Sequence, residues 1–542
     1  MRHGDMCRIF NFKSYVFMLR SRDNLQKITR TKNDPVYRCD VLVVGGGING
    51  AGIAHDLAGR GLSVVLCEKN DWGSATSSAS SKLIHGGLRY LEQYEFGLVR
   101  SSLIERETLY RLAPHLIKPL RFVLPHDKSL RPKWMIRAGL FLYDHLGGRQ
   151  RHNVFEKSYM LPLTDHPLHE TYKTGFVYTD CWVDDARLVL TNVMAAHEKG
   201  AVVLSRTACR GLEADKKAGL WKATLFHKEP GDARGKSHEI KARCVVNAAG
   251  PWVESFLPAT VKGFKPHYHV RLVKGSHIVV PRLYNGAHAY ILQNKDGRII
   301  FVIPYENDYT LIGTTDVAYE GDPAQVKITK EEISYLCDAV GRYFTTPVIP
   351  EEVVWSYSGV RPLLDDGTQN ASEVTRDYKL DLAHHKSCPL LSVYGGKLTT
   401  YRKLSEQVAD LLKEEIFPEA GAAWTAEAVL PGADFSPVAN LETFLKTLRR
   451  EYHWLSAEAA EQYVRRYGSN VREIFKNCHH ENDMGAYFGA GLYANEIDYM
   501  MDFEDAQTAE DILWRRSKCG LHGDPDMFEK LERYIAEKRA GE

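Results

Sequence analysis

A glycine-rich turn between two short apolar runs constrains this chain more than any other feature. Residues 41–44 are apolar and predict a buried strand, and a second apolar run, residues 62–67, ends at Glu68. Between them, Gly45-Gly46-Gly47-Ile48-Asn49-Gly50 satisfies G-x-G-x-x-G and opens a helix that continues to about residue 61. A strand, a glycine turn, a helix and a second strand with a terminal acid are the parts of a dinucleotide-binding unit.

Each part of this unit has a physical role. Gly45 allows the tight turn, Gly47 lets the backbone approach a pyrophosphate, and Gly50 permits close packing of helix and strand. The helix N-terminus offers N–H groups and a positive dipole end to phosphates. Glu68 can accept hydrogen bonds from an adenosine ribose. An ordinary glycine turn would lack this combination, so we predict that residues 45–50 and Glu68 bind a dinucleotide.

The bulk composition describes a globular protein without a global preference for nucleic acid. The 542 residues suffice for two or three domains. With 70 basic and 69 acidic residues, the net charge of +1 gives no field that favours nucleic acid. Ten cysteines without a C-x-x-C pair or zinc spacing indicate a reducing compartment and argue against a metal site. No run of 18 apolar residues occurs, so we expect no membrane-spanning helix.

The chain divides by pattern into four regions. Residues 1–39 hold nine Lys/Arg against three Asp and predict a basic, disordered extension; a transit peptide is the alternative, which the acids disfavour. Residues 40–260 and 351–425 predict a discontinuous nucleotide-binding domain. Residues 261–350 alternate apolar stretches with turns, which is typical of an inserted antiparallel sheet facing a substrate. Residues 426–542 are helical in pattern and predict a C-terminal cap domain.

Three further stretches carry small residues where a cofactor would need backbone contact. The run 73–81 is rich in Ser and Ala and can line a cofactor with donors, although a flexible linker is the alternative. A strand ending at residue 246 continues into the small residues 247–250, and residues 395–399 open a helix whose N–H groups suit an anion. The candidate cofactor residues from these stretches are Thr76, Ser77, Ser81, Gly250, Gly395, Gly396, Lys397, Leu398 and Thr399.

One segment combines basic and large apolar side chains. Residues 121–151 hold seven Lys/Arg and two Asp among aromatic and aliphatic residues such as Trp134 and Phe141. Such a segment is typical of a membrane interface, and equally of a core helix with basic flanks. The sequence leaves both interpretations open.

The motifs together resemble a known family. GGGINGAGIA, TSSASSKLIHGGLRYLEQYEFGLV, YTDCWVDDARLVL, NAAGPWV, RLVKGSHIVVPR, IGTTD, YSGVRPL and GGKLTTYRKL occur in this order. From about Asp40 to near the C-terminus, the chain is similar to the FAD-dependent (aerobic, respiratory) glycerol-3-phosphate dehydrogenases. The sequence contains no D-x-[DN]-x-[DN]-G calcium loop of the kind that mitochondrial members carry, so the bacterial type is favoured.

The resemblance implies both fold and activity. The fold is α/β, with a Rossmann-like FAD-binding domain of the glutathione-reductase/D-amino-acid-oxidase kind, the inserted antiparallel domain and the helical cap. The activity is oxidation of sn-glycerol 3-phosphate to dihydroxyacetone phosphate by hydride transfer to FAD, with electrons passed to a membrane quinone. The resemblance also implies a homodimer bound peripherally to the lipid bilayer surface at the cytoplasmic face of the bacterial inner membrane; a cytoplasmic location is the alternative.

A phosphate dianion with a secondary alcohol needs clustered cations and a base. The expected substrate-binding residues are Arg89, Tyr90, Arg361, Arg376, Lys397 and Thr399. Histidine is the usual base near neutral pH, and we expect His85 to remove the hydroxyl proton. Alternatively, His85 only packs against the cofactor and Lys274 is the base; Lys274 or Arg361 could also stabilise the alkoxide. The pairs His384-His385 and His479-His480 lack metal spacing, so we expect no metal site.

Three other functions are compatible with parts of the sequence. An oxidase on the same scaffold would return electrons to oxygen instead of quinone, and the motifs do not separate the two. A tRNA-modifying flavoprotein is disfavoured by the neutral net charge and by the lack of a basic stripe beside aromatic residues. The third alternative is a membrane-bound flavoprotein that catalyses no reaction.

Overall fold

The structure is a computed structural model, and it describes residues 18–29, 36–127, 131–148, 154–294, 296–365, 378–438 and 440–541. The helices are α1 (Ser21–Thr29), α2 (Ile48–Gly59), α3 (Phe96–Leu112), α4 (Lys133–Leu146), α5 (Asp185–Glu198), α6 (Val253–Thr260), α7 (Lys330–Gly341), α8 (Tyr401–Glu415), α9 (Leu441–Glu451), α10 (Ala457–Tyr467), α11 (Val471–Phe475), α12 (Ala494–Phe503) and α13 (Met527–Gly541). The strands are β1 (Tyr37–Val44), β2 (Val64–Cys67), β3 (Leu83–Ile84), β4 (Ile117–His126), β5 (Tyr159–Pro162), β6 (Thr174–Val183), β7 (Val202–Leu204), β8 (Thr207–Asp215), β9 (Leu220–His227), β10 (Lys236–Asn247), β11 (Val270–Pro281), β12 (Ala289–Gln293), β13 (Ile299–Tyr305), β14 (Tyr309–Gly313), β15 (Val317–Ala318), β16 (Trp355–Leu364), β17 (Tyr378–His385), β18 (Cys388–Gly395), β19 (Tyr487–Gly489) and β20 (Leu492–Tyr493).

A first sheet carries the glycine turn. Its main path is β17, β18, β10, β1, β2, β7, with β9 beside β10 and β8 beside β9. β10 and β2 flank β1, and both pair with it in parallel. The apolar run 41–44 is buried on both faces of the sheet. Val41 and Val43 share a core with helices α2, α5 and α8, and Leu42 and Val44 share another with α1, β8 and β9. This is the expected Rossmann-like arrangement, and ligands of such sheets bind at the carboxyl ends of the strands.

A second, largely antiparallel sheet is wider than the sequence predicts. Its main path is β15, β11, β14, β13, β12, β4, β6, β3, with β16 beside β11 and β5 beside β6. The antiparallel sheet expected at residues 261–350 supplies β11–β15, whereas β3–β6 come from the region assigned to the nucleotide-binding domain. Phe122 of β4 pairs with Ala289 of β12 to join the two parts. Pairing between segments this distant in sequence leaves no local signal, which is why the prediction is too narrow.

Part of the N-terminal region is ordered, which corrects the expectation of a disordered extension over residues 1–39. Helix α1 buries Leu25 and Ile28 in the same core cluster as strands of the first sheet. The Ser21 N–H donates to Asp505 Oδ1 at 2.9 Å. These are tertiary contacts that the basic composition does not reveal. Residues 1–17 and 30–35 lie outside the described residues.

Helices α9–α13 fall where the helical pattern predicts them, and they form a core of their own. Buried ion pairs connect them to the first domain. Arg516 donates to Asp71 at 2.6 and 2.8 Å, and Lys518 Nζ lies 2.9 Å from both carboxylate oxygens of Asp184.

Helix α4 lies on the surface. Of its residues, Leu140 and Tyr143 are buried, whereas Trp134 is 70% and Phe141 is 59% exposed. The core-helix interpretation of this segment is therefore wrong for residues 133–146. Within the described ranges, no helix is long and apolar enough to cross a membrane.

Candidate active site

The glycine turn brings β1, α2 and β10 into close contact. Gly45 has φ +111°, and a Cβ there would lie 2.4 Å from the Ala248 carbonyl oxygen. A Cβ on Gly50 would lie 1.9 Å from the Gly45 carbonyl oxygen, so only glycine lets α2 start this close to β1. Gly47 is the N-cap of α2. The positive end of the α2 dipole therefore lies at the carboxyl edge of the first sheet.

A cavity of about 360 Å³, the glycine-turn cavity, opens beside this turn. Its walls include Gly45, Gly47, Glu68 and residues 73–77, 207–209 and 248–252. The Glu68 carboxylate accepts hydrogen bonds from the N–H groups of Gly46 at 2.7 Å and Asn70 at 2.9 Å. Burial raises the pKa of Glu68. Glu68 thus holds the turn together as well as facing the cavity.

A second cavity of about 260 Å³, the junction cavity, lies where the two sheets meet. It shares Gly47, Thr76, Ser77, Ala248, Gly250 and Pro251 with the glycine-turn cavity. The other predicted cofactor residues on its walls are Ile48, Asn49, Ser81, Gly395, Gly396, Lys397, Leu398 and Thr399. Two cavities with a common wall form one elongated cleft, so the structure brings the predicted cofactor residues together along a shape that suits a dinucleotide.

The 395–399 turn closes one end of this cleft. Gly395 and Gly396 have φ values of +80° and +100° and lead towards α8. Asn49 Nδ2 donates to the Gly395 carbonyl oxygen at 3.2 Å. Asn49 Oδ1 is buried and accepts no hydrogen bond from the described residues. A ligand with a donor group would satisfy this oxygen.

The expected base, His85, and four of the expected substrate-binding residues line the junction cavity. The four are Tyr90, Arg361, Lys397 and Thr399. The His85 N–H donates to Thr399 Oγ1 at 3.2 Å. Lys397 Nζ lies 4.1 Å from the centroid of the Tyr90 ring, within the range of a cation–π contact. His85 is half-buried, and its ring lies 6.5 Å from that of Phe301. The segments around residues 85–90 and 397–399 therefore hold each other in place.

Arg361 reaches the junction cavity from β16. Its guanidinium forms an ion pair with Asp316 and donates to Thr314 Oγ1 at 3.0 Å and to the Thr315 carbonyl at 3.2 Å. Gly275 on the paired strand β11 leaves room for it. The guanidinium is thus fixed by the protein, and one carboxylate partly balances its charge.

Lys274 does not reach the cleft, which corrects its expected catalytic role. Its Nζ is buried in an ion pair with Glu332 at 2.7 Å and donates to the Lys327 carbonyl at 3.3 Å. Side chains alternate along a strand, so Lys274 of β11 faces α7, whereas Gly275 and His277 face the cavity.

Arg89 is not brought to the cleft either. Arg89 lines a separate cavity of about 610 Å³, the apolar cavity, between residues 88–96 and α4. Its apolar lining residues include Leu88, Leu91, Phe96, Leu124, Met135, Ile136, Leu140, Leu142, Ile291 and Ile299. Arg376 lies outside the described residues.

His277 is a cavity residue that sequence reasoning missed. It is buried, its Nε2 lies 2.9 Å from Ser81 Oγ, and its ring stacks on Tyr357 at 4.8 Å. Burial, followed by the positive charges of Arg361 and Lys82, holds the pKa of His277 well below its usual range. The signal in the sequence is its spacing of two from Gly275, which places both residues on one face of β11.

Comparison with known families agrees with this geometry. The family described as FAD dependent oxidoreductase matches residues 40–402. The family described as C-terminal domain of alpha-glycerophosphate oxidase matches residues 423–536. Fold, cleft and family together define a flavin-dependent oxidoreductase.

Individual relatives indicate the family within the flavin-dependent oxidoreductases to which the chain belongs. Glycerol-3-phosphate dehydrogenase of Pseudomonas aeruginosa is 52% identical over 92% of this chain and 94% of its own length. D-erythritol 1-phosphate dehydrogenase of Brucella abortus is 49% identical over 89% of this chain and 95% of its own length. Aerobic glycerol-3-phosphate dehydrogenase of Escherichia coli is 47% identical over 92% of this chain and 97% of its own length. The chain belongs to the FAD-dependent glycerol-3-phosphate dehydrogenase family, as its motifs indicate.

A solved structure covers nearly the whole fold. The glycerol-3-phosphate dehydrogenase from Bacillus halodurans complexed with FAD matches with a TM-score of 0.74 at 28% identity, over 96% of this chain and 94% of that one. The residues present here fit FAD. The glycine turn leaves no room for a side chain, Asn49 Oδ1 awaits a donor, and the two joined cavities extend from Glu68 to the 395–399 turn.

Proposed function

We propose that this enzyme oxidises sn-glycerol 3-phosphate to dihydroxyacetone phosphate with FAD and passes the electrons to a membrane quinone. The observation that carries the proposal is the junction cavity. There His85, Arg361 and the 395–399 turn converge beside the glycine turn. The names of relatives at 52% and 47% identity supply the substrate.

Bound FAD supplies the hydride acceptor for the substrate carbon. Residues 45–50 would hold its pyrophosphate at the N-terminus of α2, and Glu68 its ribose. Thr76, Ser77 and Ser81 would line the flavin, because they form the wall that joins the two cavities or lie next to it. The N–H groups of residues 395–399 would favour negative charge at that end of the cleft.

Arg361 and Lys397 bind the substrate phosphate in this proposal. Both line the junction cavity, and charge-assisted hydrogen bonds to phosphate are the strong ones. Asp316 already balances part of the Arg361 charge, so Lys397 is needed for a dianion. Tyr90 and Thr399 orient the phosphate beside Lys397. Arg376 remains a sequence prediction, and Arg89 is left out because it lines the apolar cavity.

His85 removes the hydroxyl proton. It lines the cavity, and its backbone is held by Thr399. His277 is the other histidine on the cavity wall, but its lowered pKa makes it a weak base near neutral pH. We assign His277 the role of holding Ser81, and through it the serine-rich loop, against the cleft.

The membrane part of the proposal rests on α4 and the apolar cavity. Exposed Trp134 and Phe141 share this helix with Lys133 and Arg137, a combination that suits anionic lipid headgroups. The neighbouring apolar cavity suits a hydrophobic quinone ring. We also propose that the protein is a homodimer on the cytoplasmic face of the bacterial inner membrane. This part of the proposal rests on the family resemblance alone.

Anaerobic titration of the FAD-loaded protein tests the oxidation. sn-Glycerol 3-phosphate should bleach the flavin absorbance and yield dihydroxyacetone phosphate, whereas glycerol should leave the flavin oxidised because it lacks the phosphate.

D-erythritol 1-phosphate is the second candidate substrate, favoured by a relative at 49% identity. A higher kcat/KM for D-erythritol 1-phosphate would reassign the substrate.

Reoxidation tests the acceptor. A soluble ubiquinone analogue should reoxidise the bleached protein faster than dissolved oxygen does. Rapid oxygen consumption with stoichiometric peroxide by lipid-free protein would identify an oxidase instead.

A further inference from the structure

Tyr143 connects the exposed helix α4 to the turn that carries His85. Leu140 and Tyr143 are the buried residues of α4. The Gly86 N–H donates to the Tyr143 hydroxyl oxygen at 2.9 Å and lies 3.3 Å from Asp180 Oδ1. Gly86 directly follows His85, so this contact fixes the peptide on one side of the histidine. Thr399 fixes the other side by accepting the His85 N–H.

The turn is shaped around this contact. A Cβ on Gly86 would lie 2.5 Å from the Tyr143 hydroxyl oxygen. Gly87 has φ +77°, and a Cβ there would lie 2.3 Å from the Tyr90 ring. The two glycines therefore fit between Tyr143 and Tyr90. Because the Tyr90 ring in turn contacts Lys397, the turn joins α4 to the expected phosphate-binding residues.

Charge fixes the direction of the hydrogen bonds. Arg106 Nη1 donates to Asp180 Oδ1 at 2.8 Å, and the Tyr143 hydroxyl lies 2.9 and 2.7 Å from the two Asp180 oxygens. Arginine is only a donor, so Asp180 accepts from both residues and the Tyr143 lone pairs face the Gly86 N–H. Burial, followed by the Asp180 charge, raises the pKa of Tyr143 well above its usual range, so the hydroxyl keeps its proton. Such charge-assisted chains are stronger than isolated neutral bonds.

We propose that Tyr143, held by Asp180 and Arg106, is a positioning residue for His85. It fixes the 85–87 turn so that the imidazole keeps its place in the junction cavity. Tyr143 does not line that cavity, so it acts through the turn and not by touching substrate or cofactor. The inference rests on the proposed role of His85.

Amide hydrogen exchange in the FAD-loaded, full-length protein provides a test that needs no substrate. Tyr143→Phe keeps the ring and removes the hydroxyl. Loss of one buried hydrogen bond should raise exchange in peptides covering residues 83–91 by about 10-fold and leave other peptides unchanged. Tyr178→Phe is the matched control, because Tyr178 is as deeply buried as Tyr143 and its ring centroid lies 5.7 Å from that of Tyr143. The Gly86 N–H donates to Tyr143 and Asp180, and not to Tyr178, in the described hydrogen bonds.

The same variants separate positioning from stability. Tyr143→Phe should slow flavin reduction at saturating substrate by about 10-fold to 100-fold, while Tyr178→Phe reduces at the wild-type rate and the two melting temperatures stay similar. Asp180→Asn should raise exchange in the same peptides, which gives a second variant if Tyr143→Phe loses FAD. The proposal would be overturned if residues 83–91 exchanged at the wild-type rate in both Tyr143→Phe and Asp180→Asn. It would also be overturned if Tyr178→Phe raised their exchange as much as Tyr143→Phe does. If glycerol 3-phosphate fails to bleach the wild-type flavin, the proposed function fails, while the exchange result still decides the role of Tyr143.

Discussion

The guanidinium of Arg361 occupies the space that a side chain at Gly275 would fill. A Cβ on Gly275 would lie 2.1 Å from Arg361 Nη2. The two residues are on the paired strands β16 and β11, so the position of the arginine depends on the absence of a side chain on the neighbouring strand.

Changing either residue should weaken substrate binding more than cofactor binding. Arg361→Ala should raise KM for sn-glycerol 3-phosphate by about 100-fold, because the proposed charge-assisted contact with the substrate phosphate would be lost. Gly275→Ala should raise KM in the same direction but less, by about 10-fold, because the methyl group displaces the guanidinium. Steady-state kinetics and the FAD content per protein measure the two effects. Arg298→Ala is the control, since Arg298 is bound to Asp296 away from the cleft. An unchanged KM in Arg361→Ala would remove Arg361 from the site.

His85→Asn should slow the chemical step. Loss of a positioned base typically costs about 10²-fold or more, and asparagine keeps the size of the side chain without the basic nitrogen. Anaerobic stopped-flow mixing with sn-glycerol 3-phosphate measures the rate of flavin reduction. The variant should also lose the pH dependence that a histidine base gives to this rate, roughly between pH 5 and 8. A normal reduction rate would take the base role away from His85.

Gly50→Ala should abolish FAD retention. Its methyl group would meet the Gly45 carbonyl oxygen, so α2 must shift away from the turn that cradles the pyrophosphate. Gly97→Ala is the matched control, because Gly97 is also helical and a Cβ there has no heavy atom within 4 Å. It should keep FAD and gain about 0.5–1 kcal/mol of stability. Flavin absorbance per protein and melting temperatures distinguish the two, and a yellow Gly50→Ala protein would contradict the expectation.

Replacing exposed aromatic residues of α4 should weaken lipid binding. The Trp134→Ala/Phe141→Ala double variant should bind vesicles of anionic phospholipid about 10-fold less tightly or worse, given about 1.5–3 kcal/mol for each large side chain fully buried. Co-sedimentation measures the binding. Tyr487→Ala removes a comparably exposed ring, 60% accessible, from the C-terminal helical region and should bind as the wild type does. Equal binding of all three proteins would exclude α4 as the lipid contact.

Acidification should destabilise the protein through His115. This residue is buried, neither ring nitrogen has a hydrogen-bond partner among the described residues, and burial followed by Arg187 lowers its pKa to about 3. The folded state keeps His115 neutral, while the unfolded chain takes up a proton below about pH 6.5, so its share of the stability is lost as the pH falls from there towards 3. The slope is about 1.4 kcal/mol per pH unit.

Urea unfolding of wild type and His115→Leu between pH 7 and pH 5 isolates this contribution. Other buried histidines such as His55, whose pKa burial lowers to about 4, act equally in both proteins and cancel in the difference. The variant should lose less stability on acidification than the wild type. Parallel pH curves would show that His115 does not contribute.

The short-range patterns of the sequence determined the nucleotide-binding unit. The glycine turn, the flanking strands and Glu68 are adjacent in the chain, and the physical constraints on them act within that stretch. The start of α5 depends on contacts that are equally local, because the side chain of its N-cap, Asp184, accepts the Arg187 N–H. The sequence also pointed to His85 and Arg361, because each stands in a motif that resembles the family.

Only the tertiary structure decided which residues share the cleft. Lys274 and His277 stand on the same strand, and the pairing of β11 with its neighbours turns His277 inwards and Lys274 towards Glu332. Arg89 stands four residues after His85, yet the turn at Gly87 leads it to the apolar cavity. The direction of a side chain and the pairing of its strand depend on contacts between segments far apart in sequence. The sequence therefore identifies the candidate residues, and the packing of the sheets determines which of them reach the cleft.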